Sequence, residues 1–234
     1  MKIAVFRGAP RSGGITNKFA DAFARGAAEK TEVDDIDLCG LSITPCRGCY
    51  ACLSAPQNAC AIADGFQRER LLERLAGADI AAFFTPVYFY AMSAQMKAFF
   101  DRCFPLAFAA GGGRLRGKKM LAFAAASGRM AAFGAVSKNF EMIAEGFGME
   151  LAANIRRGEC VYFGGLGEGS LRVKKVLAAA EAAGRELAET GAVSPATVET
   201  LELPIAPSGE AIKKRATIYW RIKTRGESDG GGRA

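Results

Sequence analysis

The 234-residue sequence contains no histidine. That removes a Ser-His-Asp triad, a His-Glu-x-x-His metal site and any step in which an imidazole carries the proton. Chemistry must then come from a bound cofactor, a thiol, a carboxylate or an amine. Long apolar runs are also lacking. The most apolar stretch, Ile80 to Met96, is broken by Pro86 and ends in Gln95-Met96-Lys97, short of the ~18 residues that span a bilayer. Met1-Lys2 runs straight into Ile3-Ala4-Val5-Phe6 with no basic region, apolar core or cleavage site ahead of it. No secretory signal is read there, and a cytoplasmic location is expected. Seven cysteines in such a chain argue against a disulfide framework.

What is present is ordinary for a folded protein: 50% hydrophobic and 24% charged residues, in a chain long enough for one large domain or a domain with an appendage. The net charge is +7, with much of the excess in Arg114-Leu115-Arg116-Gly117-Lys118-Lys119 and in Lys213-Lys214-Arg215 through Arg225. No recognition motif accompanies these runs, so they read as solvated surface and a basic tail, with no nucleic-acid partner.

Strand and helix patterns alternate along the chain. Ile3 to Phe6 is an apolar run, and a helix starts near Thr16 with Phe19, Ala20, Phe23, Ala24 and Ala27 as its stripe. Val33, Ile36 and Leu38 among acidic neighbours read as a half-exposed edge strand. A cysteine-rich loop precedes a helix from about Gly65 to Ala76. Asp79 to Thr85 and Lys118 to Ala126 are continuous apolar runs, as in strands buried on both faces of a parallel sheet. Helices follow from Ser93 and along Val136, Phe140, Ile143 and Phe147. Cys160-Val161-Tyr162-Phe163 reads as a fifth strand, and Val173 to Leu187 as a long helix. Five alternations predict a doubly wound parallel α/β sheet over residues 1–190. Beyond it, Pro195, Pro204 and Pro207 punctuate an extended stretch. A short amphipathic helix is expected next, with Ile212, Ala216, Tyr219, Trp220 and Ile222 on one side, packed on the domain or on a partner subunit. Residues 191–225 form this extension, and 226–234 read as a disordered tail.

Two loops carry the functional signal. Gly8-Ala9-Pro10-Arg11-Ser12-Gly13-Gly14 links the first strand to the first helix. A glycine-rich turn at a helix amino terminus offers unpaired N–H groups and a positive dipole end to an anion. Arg11, Ser12, Gly14 and Thr16 are the candidate ligands. With neither Gly-Lys-Ser/Thr nor Gly-x-Gly-x-x-Gly, the loop suits a phosphate monoester such as that of FMN. Thr85-Pro86-Val87-Tyr88-Phe89-Tyr90 ends a central strand, where open α/β sheets bind ligands. Pro86, Val87, Tyr88 and Phe89 are candidates to wall a flat ring, with Ser127 and Gly128 on another side.

These segments resemble the NADPH-dependent FMN reductase and iron-sulfur flavoprotein families. The matching stretches are Gly8 to Thr16, then Pro45-Cys46-Arg47-Gly48-Cys49-Tyr50-Ala51-Cys52, then Thr85 to Phe89 with Met92 to Lys97 and Asp101-Arg102. The resemblance implies a flavodoxin-like fold of strand order 2-1-3-4-5 and a homodimer or homotetramer. It implies FMN phosphate on Arg11, Ser12 and Thr16, with the flavin ring against Pro86 to Phe89. Ala9 stands where the family usually has Ser and Ile15 where it usually has Asn; each removes a polar contact, about 1 kcal/mol per lost hydrogen bond.

Cys46, Cys49, Cys52 and Cys60 have the spacing Cys-x2-Cys-x2-Cys-x7-Cys. That spacing resembles the compact motif of iron-sulfur flavoproteins and implies a [4Fe–4S] cluster on four thiolates. Zinc, a Cys49–Cys52 redox dithiol and a loop without a cluster stay open beside it. Cys39, Cys103 and Cys160 read as buried, inert thiols. The expected activity is FMN-dependent transfer of electrons from NAD(P)H or a reduced carrier to a small acceptor, such as a quinone, nitro compound, flavin or metal ion. A non-catalytic electron carrier working with ferredoxin-type partners, and a redox-sensing scaffold, are the other readings.

Overall fold

A computed structural model of the chain describes residues 1–55, 59–108, 113–128, 133–166 and 170–225; the expected disordered tail lies outside them. Among the described residues the strands are β1 (Lys2–Arg7), β2 (Glu32–Asp37), β3 (Ile80–Pro86), β4 (Lys119–Ala125) and β5 (Glu150–Arg157), all parallel in the order β2-β1-β3-β4-β5. This is the flavodoxin-like order. The helices are α1 (Ile15–Ala28), α2 (Ala51–Ser54), α3 (Gly65–Arg68), α4 (Leu71–Gly77), α5 (Ala94–Arg102), α6 (Phe104–Phe108), α7 (Gly134–Phe147), α8 (Cys160–Leu166), α9 (Leu171–Thr190), α10 (Pro195–Glu202) and α11 (Gly209–Arg225). No helix among the described residues is long and apolar enough to cross a membrane.

The apolar runs explain the sheet. β3, Ile-Ala-Ala-Phe-Phe-Thr-Pro, is buried at every position, because helices cover both faces. One face packs Phe6, Phe83 and Ala122 against Phe66, Phe99 and Phe140 of α3, α5 and α7. The other packs Val5, Phe84 and Phe123 against Phe19, Phe23, Phe163 and Leu187 of α1, α8 and α9. The acidic β2 is half-exposed at one edge, as its composition predicts.

Two expectations are corrected. The fifth strand is Glu150–Arg157, paired with β4 from Lys119↔Glu150 to Ala125↔Arg157. Cys160-Val161-Tyr162-Phe163 is instead the start of α8. A four-residue apolar run has no period to separate strand from helix. Here Glu159, at φ 62°, turns the chain out of extended backbone just before it. The helix expected over 65–76 is broken into α3 and α4 by Arg70, at φ 52°.

The extension is also more ordered than its prolines suggest. Pro195 occupies the first turn of α10, where a missing N–H costs nothing, and Ser194 Oγ caps the helix by accepting from Thr197 N at 3.2 Å. The amphipathic helix α11 runs for 17 residues and packs on α8. Ile212 is buried and Tyr219 half-buried, whereas Trp220, expected on the packed side, is 62% exposed.

α1 and α9 pack with backbones in contact. A Cβ on Gly26 would collide with the Glu181 carbonyl oxygen, and one on Gly184 with that of Phe23. Gly184→Ala is expected to destabilise the fold by about 2–3 kcal/mol through overpacking, read as a lower urea midpoint at unchanged slope.

Candidate functional site

The parallel register brings the loops after β1, β3, β4 and β5 side by side along the carboxyl edge of the sheet. Gly8 N donates to Phe84 O at 2.8 Å, which ties the loop after β1 to the end of β3. A Cβ at Gly8 would lie 2.9 Å from Ser93 Oγ and 3.0 Å from Met96, so only glycine lets this turn rest against the start of α5. Gly14 N donates to Arg11 O at 2.9 Å and closes the turn. Gly14 is the N-cap of α1; it supplies no side-chain cap, and no acidic residue stands in the first turn. The first-turn N–H groups therefore face no competing anion. Arg11 and Ser12 are exposed and Thr16 is buried.

Asn17 was not among the expected residues. Its amide nitrogen donates to Arg11 O at 2.9 Å and, at longer range, to Ser12 O and Ala9 O at 3.3 and 3.4 Å. It braces the loop from beneath, while its Oδ1 is buried without a hydrogen-bond partner. The signal was an asparagine in a first helical turn, where such side chains bond nearby backbone.

The loop after β3 is shaped by Thr85, whose buried hydroxyl accepts from Ser93 N at 2.9 Å and donates to Pro86 O at 3.0 Å. Ser93 Oγ in turn caps α5, accepting from Met96 N. Tyr88 and Ala91 exchange backbone hydrogen bonds of 2.9 and 3.0 Å across a two-residue turn. Both central residues are left-handed, Phe89 at φ 46° and Tyr90 at φ 64°. Glycine or asparagine usually takes such positions, and aromatic residues there cost roughly 1–3 kcal/mol each. Phe89 is 100% exposed, so within one chain its side chain is not buried against the other candidate residues. Val87 packs against the core and donates its N–H to Ala125 O at 2.7 Å. Ser127 and Gly128 follow β4 and are exposed, with Gly128 O accepting from Glu159 N at 2.8 Å.

Glu159 is a further residue the sequence pattern did not single out. It is buried, and its Oε2 accepts from Ile205 N and Ala206 N, both at 2.7 Å. The neighbouring Arg157 is buried too and donates to Leu201 O at 2.6 Å. These bonds fasten the extension to the loop after β5.

All four clustered cysteines line one cavity of about 150 Å³, together with Tyr50 and Arg102. Cys46 and Cys49 are exposed, and Cys52 and Cys60 half-buried. Burial first, then the neighbouring thiols, pushes the Cys52 thiol above its usual range. No group of three or more Cys, Asp or Glu among the described residues is gathered as for a metal ion. The three remaining thiols are held protonated by burial: Cys103 well above the usual range, Cys39 at about 11 and Cys160 at about 12. Cys103 is buried as expected, while Cys39 and Cys160 are only partly so by surface area.

Arg102 organises this lobe. Its side chain has no exposed surface. It meets Asp64 through two bonds of 2.8 and 3.1 Å, donates to Thr44 O and Ile62 O, and lies 4.4 Å over the Phe66 ring. Asp64 also accepts from Thr44 N at 2.7 Å and Phe66 N at 3.0 Å. The cysteine loop is thus stapled at both ends to α5.

The family whose pattern matches the chain is described as NADPH-dependent FMN reductase, over residues 1–155. Two relatives are each called an iron-sulfur flavoprotein. One, from Methanosarcina thermophila, is 34% identical over 103 residues, 44% of this chain and 52% of the relative. The other, from Methanocaldococcus jannaschii, is 34% identical over 107 residues, 45% of this chain and 53% of the relative. The chain spans about half the length of these curated relatives. Among solved structures, an FMN-dependent NADH-azoreductase from Bacillus anthracis str. Ames Ancestor, in complex with FMN, has a similar fold. Its TM-score is 0.59 at 15% identity, covering 82% of this chain and all of the other.

Burial works to raise the Asp64 carboxyl, but the bonds from Arg102 and Thr44 outweigh it and bring its pKa to about 2. A depressed carboxylate stabilises the fold above its unfolded value near 3.9, and that contribution is lost as pH falls through the folded value. Asp64→Asn is expected to lower stability at pH 7 by about 2 kcal/mol and to flatten the fall between pH 4 and pH 2, measured by urea unfolding across that range.

Proposed function

The chain belongs to the NADPH-dependent FMN reductase family, and from that premise we propose that it is an FMN-dependent oxidoreductase. It would take electrons from NAD(P)H or a reduced carrier and pass them to a small acceptor such as a quinone, nitro compound, flavin or metal ion. The observation that carries this reading is the meeting of an anion-ready loop, 8–16, with the strained aromatic loop, 86–93, at the carboxyl edge of β1 and β3. Strain of that kind collects where a ligand is clamped.

The donor set fits the phosphate and ribityl chain of FMN. Arg11, Ser12, Thr16 and the uncapped first-turn N–H groups of α1 would hold the phosphate. The partnerless Oδ1 of Asn17 is the acceptor that a ligand hydroxyl would satisfy. Pro86, Val87 and Tyr88, with Ser127 and Gly128, would border the ring. When bound, FMN supplies the hydride acceptor and the outgoing electrons, so the protein needs no imidazole. The residues bind, orient and exclude water.

The cysteines fit a [4Fe–4S] cluster better than one metal ion. A single zinc needs its sulfurs drawn to one point about 2.3 Å away, whereas these four thiols line a cavity. A four-iron cluster can take each thiolate on a different iron. Cys46, Cys49, Cys52 and Cys60 are assigned to it, and α5 joins the two sites, Ser93 at its start and Arg102 at its end. The exposed Cys46, Cys49 and Tyr50 favour a second reading as an electron carrier for a ferredoxin-type partner. The fully exposed Phe89 supports a homodimer or homotetramer.

Anaerobic purification followed by assay of FMN, iron and sulfide tests the proposal. About one FMN, four iron and four sulfide per chain are expected. Cys49→Ala should keep the FMN and lose the iron. Rapid NAD(P)H oxidation by the holoprotein supports the reductase, and negligible oxidation supports the carrier. A chain that takes up no FMN on reconstitution overturns both.

A further inference from the structure

The extension beyond α9 lies outside the 1–155 family match, yet it is fastened at two points on the edge that carries the loops. At one, the buried Glu159 carboxylate, itself on a left-handed backbone, accepts from Ile205 N and Ala206 N. At the other, Arg11 Nη1 donates to the Tyr219 hydroxyl at 3.1 Å. Between them α11 packs on α8, and its first residue and Tyr219 are about 15 Å apart along the helix axis. The extension therefore reaches from the loop after β5 to the loop after β1.

This contact has a chemical consequence for Arg11. An arginine on an exposed loop samples many rotamers and must give them up to grip an anion. Its guanidinium carries five N–H donors in a rigid fork, and the bond to Tyr219 uses one of them. The rest remain for a bidentate grip on a phosphate monoester.

We infer that α11 is a built part of the phosphate site: Tyr219 is a positioning residue that holds Arg11 ready for a phosphate monoester. The extension thereby makes the chain select a phosphorylated flavin over its unphosphorylated form. This rests on the reading of loop 8–16 as the FMN phosphate site.

The test measures dissociation constants for FMN and for riboflavin, by quenching of flavin fluorescence, in the wild type, Tyr219→Phe, Arg11→Gln and the double variant. Limited trypsin digestion at the exposed Lys213 and Lys214 checks that α11 stays docked in each. Tyr219→Phe should weaken FMN about three- to tenfold, the range of one hydrogen bond, and leave riboflavin unchanged. Arg11→Gln should weaken FMN further, and adding Tyr219→Phe to it should change nothing more. A wild type that prefers FMN, with Tyr219→Phe indistinguishable from it or weakening both flavins equally, overturns the role of Tyr219 alone. A wild type without preference for FMN overturns the phosphate-site reading as well.

Discussion

The backbone N–H of Gly8 meets the carbonyl oxygen of Phe84, and no side chain stands between that turn and Ser93. The placement of the two candidate loops against one another depends on this close approach. It sets the loop after β1 against the loop after β3 and the start of α5. Asn17 then stiffens the first loop from below, and Thr85 and Ser93 close the second. After this bracing the first turn of α1 has no side-chain cap, and the Oδ1 of Asn17 has no hydrogen-bond partner.

The same helix carries the order outward. α5 is capped by Ser93, beside the loop after β1, and ends at Arg102, whose buried guanidinium is held by Asp64, two carbonyl oxygens and the face of Phe66. A buried cation with those partners is strongly located, and removing one partner leaves it stranded. Arg102 and the bond from Gln67 Nε2 to Cys60 O hold the described residues between Thr44 and Asp64, whose four thiols line a single cavity.

How much of this was legible follows from where the information lies. β1, β3 and β4 are continuous apolar runs, so their burial and parallel pairing could be read directly. β5 could not: as an edge strand it carries Asn154, Arg156 and Arg157, and the neighbouring Cys160-Val161-Tyr162-Phe163 drew the strand assignment instead. The two loops and the cysteine spacing were visible because local composition and short intervals mark them. Arg102 with Asp64, Glu159 with Ile205 and Ala206, and Arg11 with Tyr219 were not, because each joins residues 38 or more positions apart. Arg102 even lay within a recognised stretch, but its work is on the cysteine loop rather than at the ring. The extension was misjudged through its prolines, since Pro195 opens a helix rather than preventing one.

The central claim is that one FMN lies along the carboxyl edge of β1 and β3. A crystal structure of the FMN-reconstituted chain tests it most directly. The account predicts phosphate density within hydrogen-bonding distance of Ser12, Thr16 and the first-turn N–H groups of α1, with the ring bordering Pro86 to Tyr88. Flavin density elsewhere on the molecule, with loop 8–16 holding no phosphate, would contradict it.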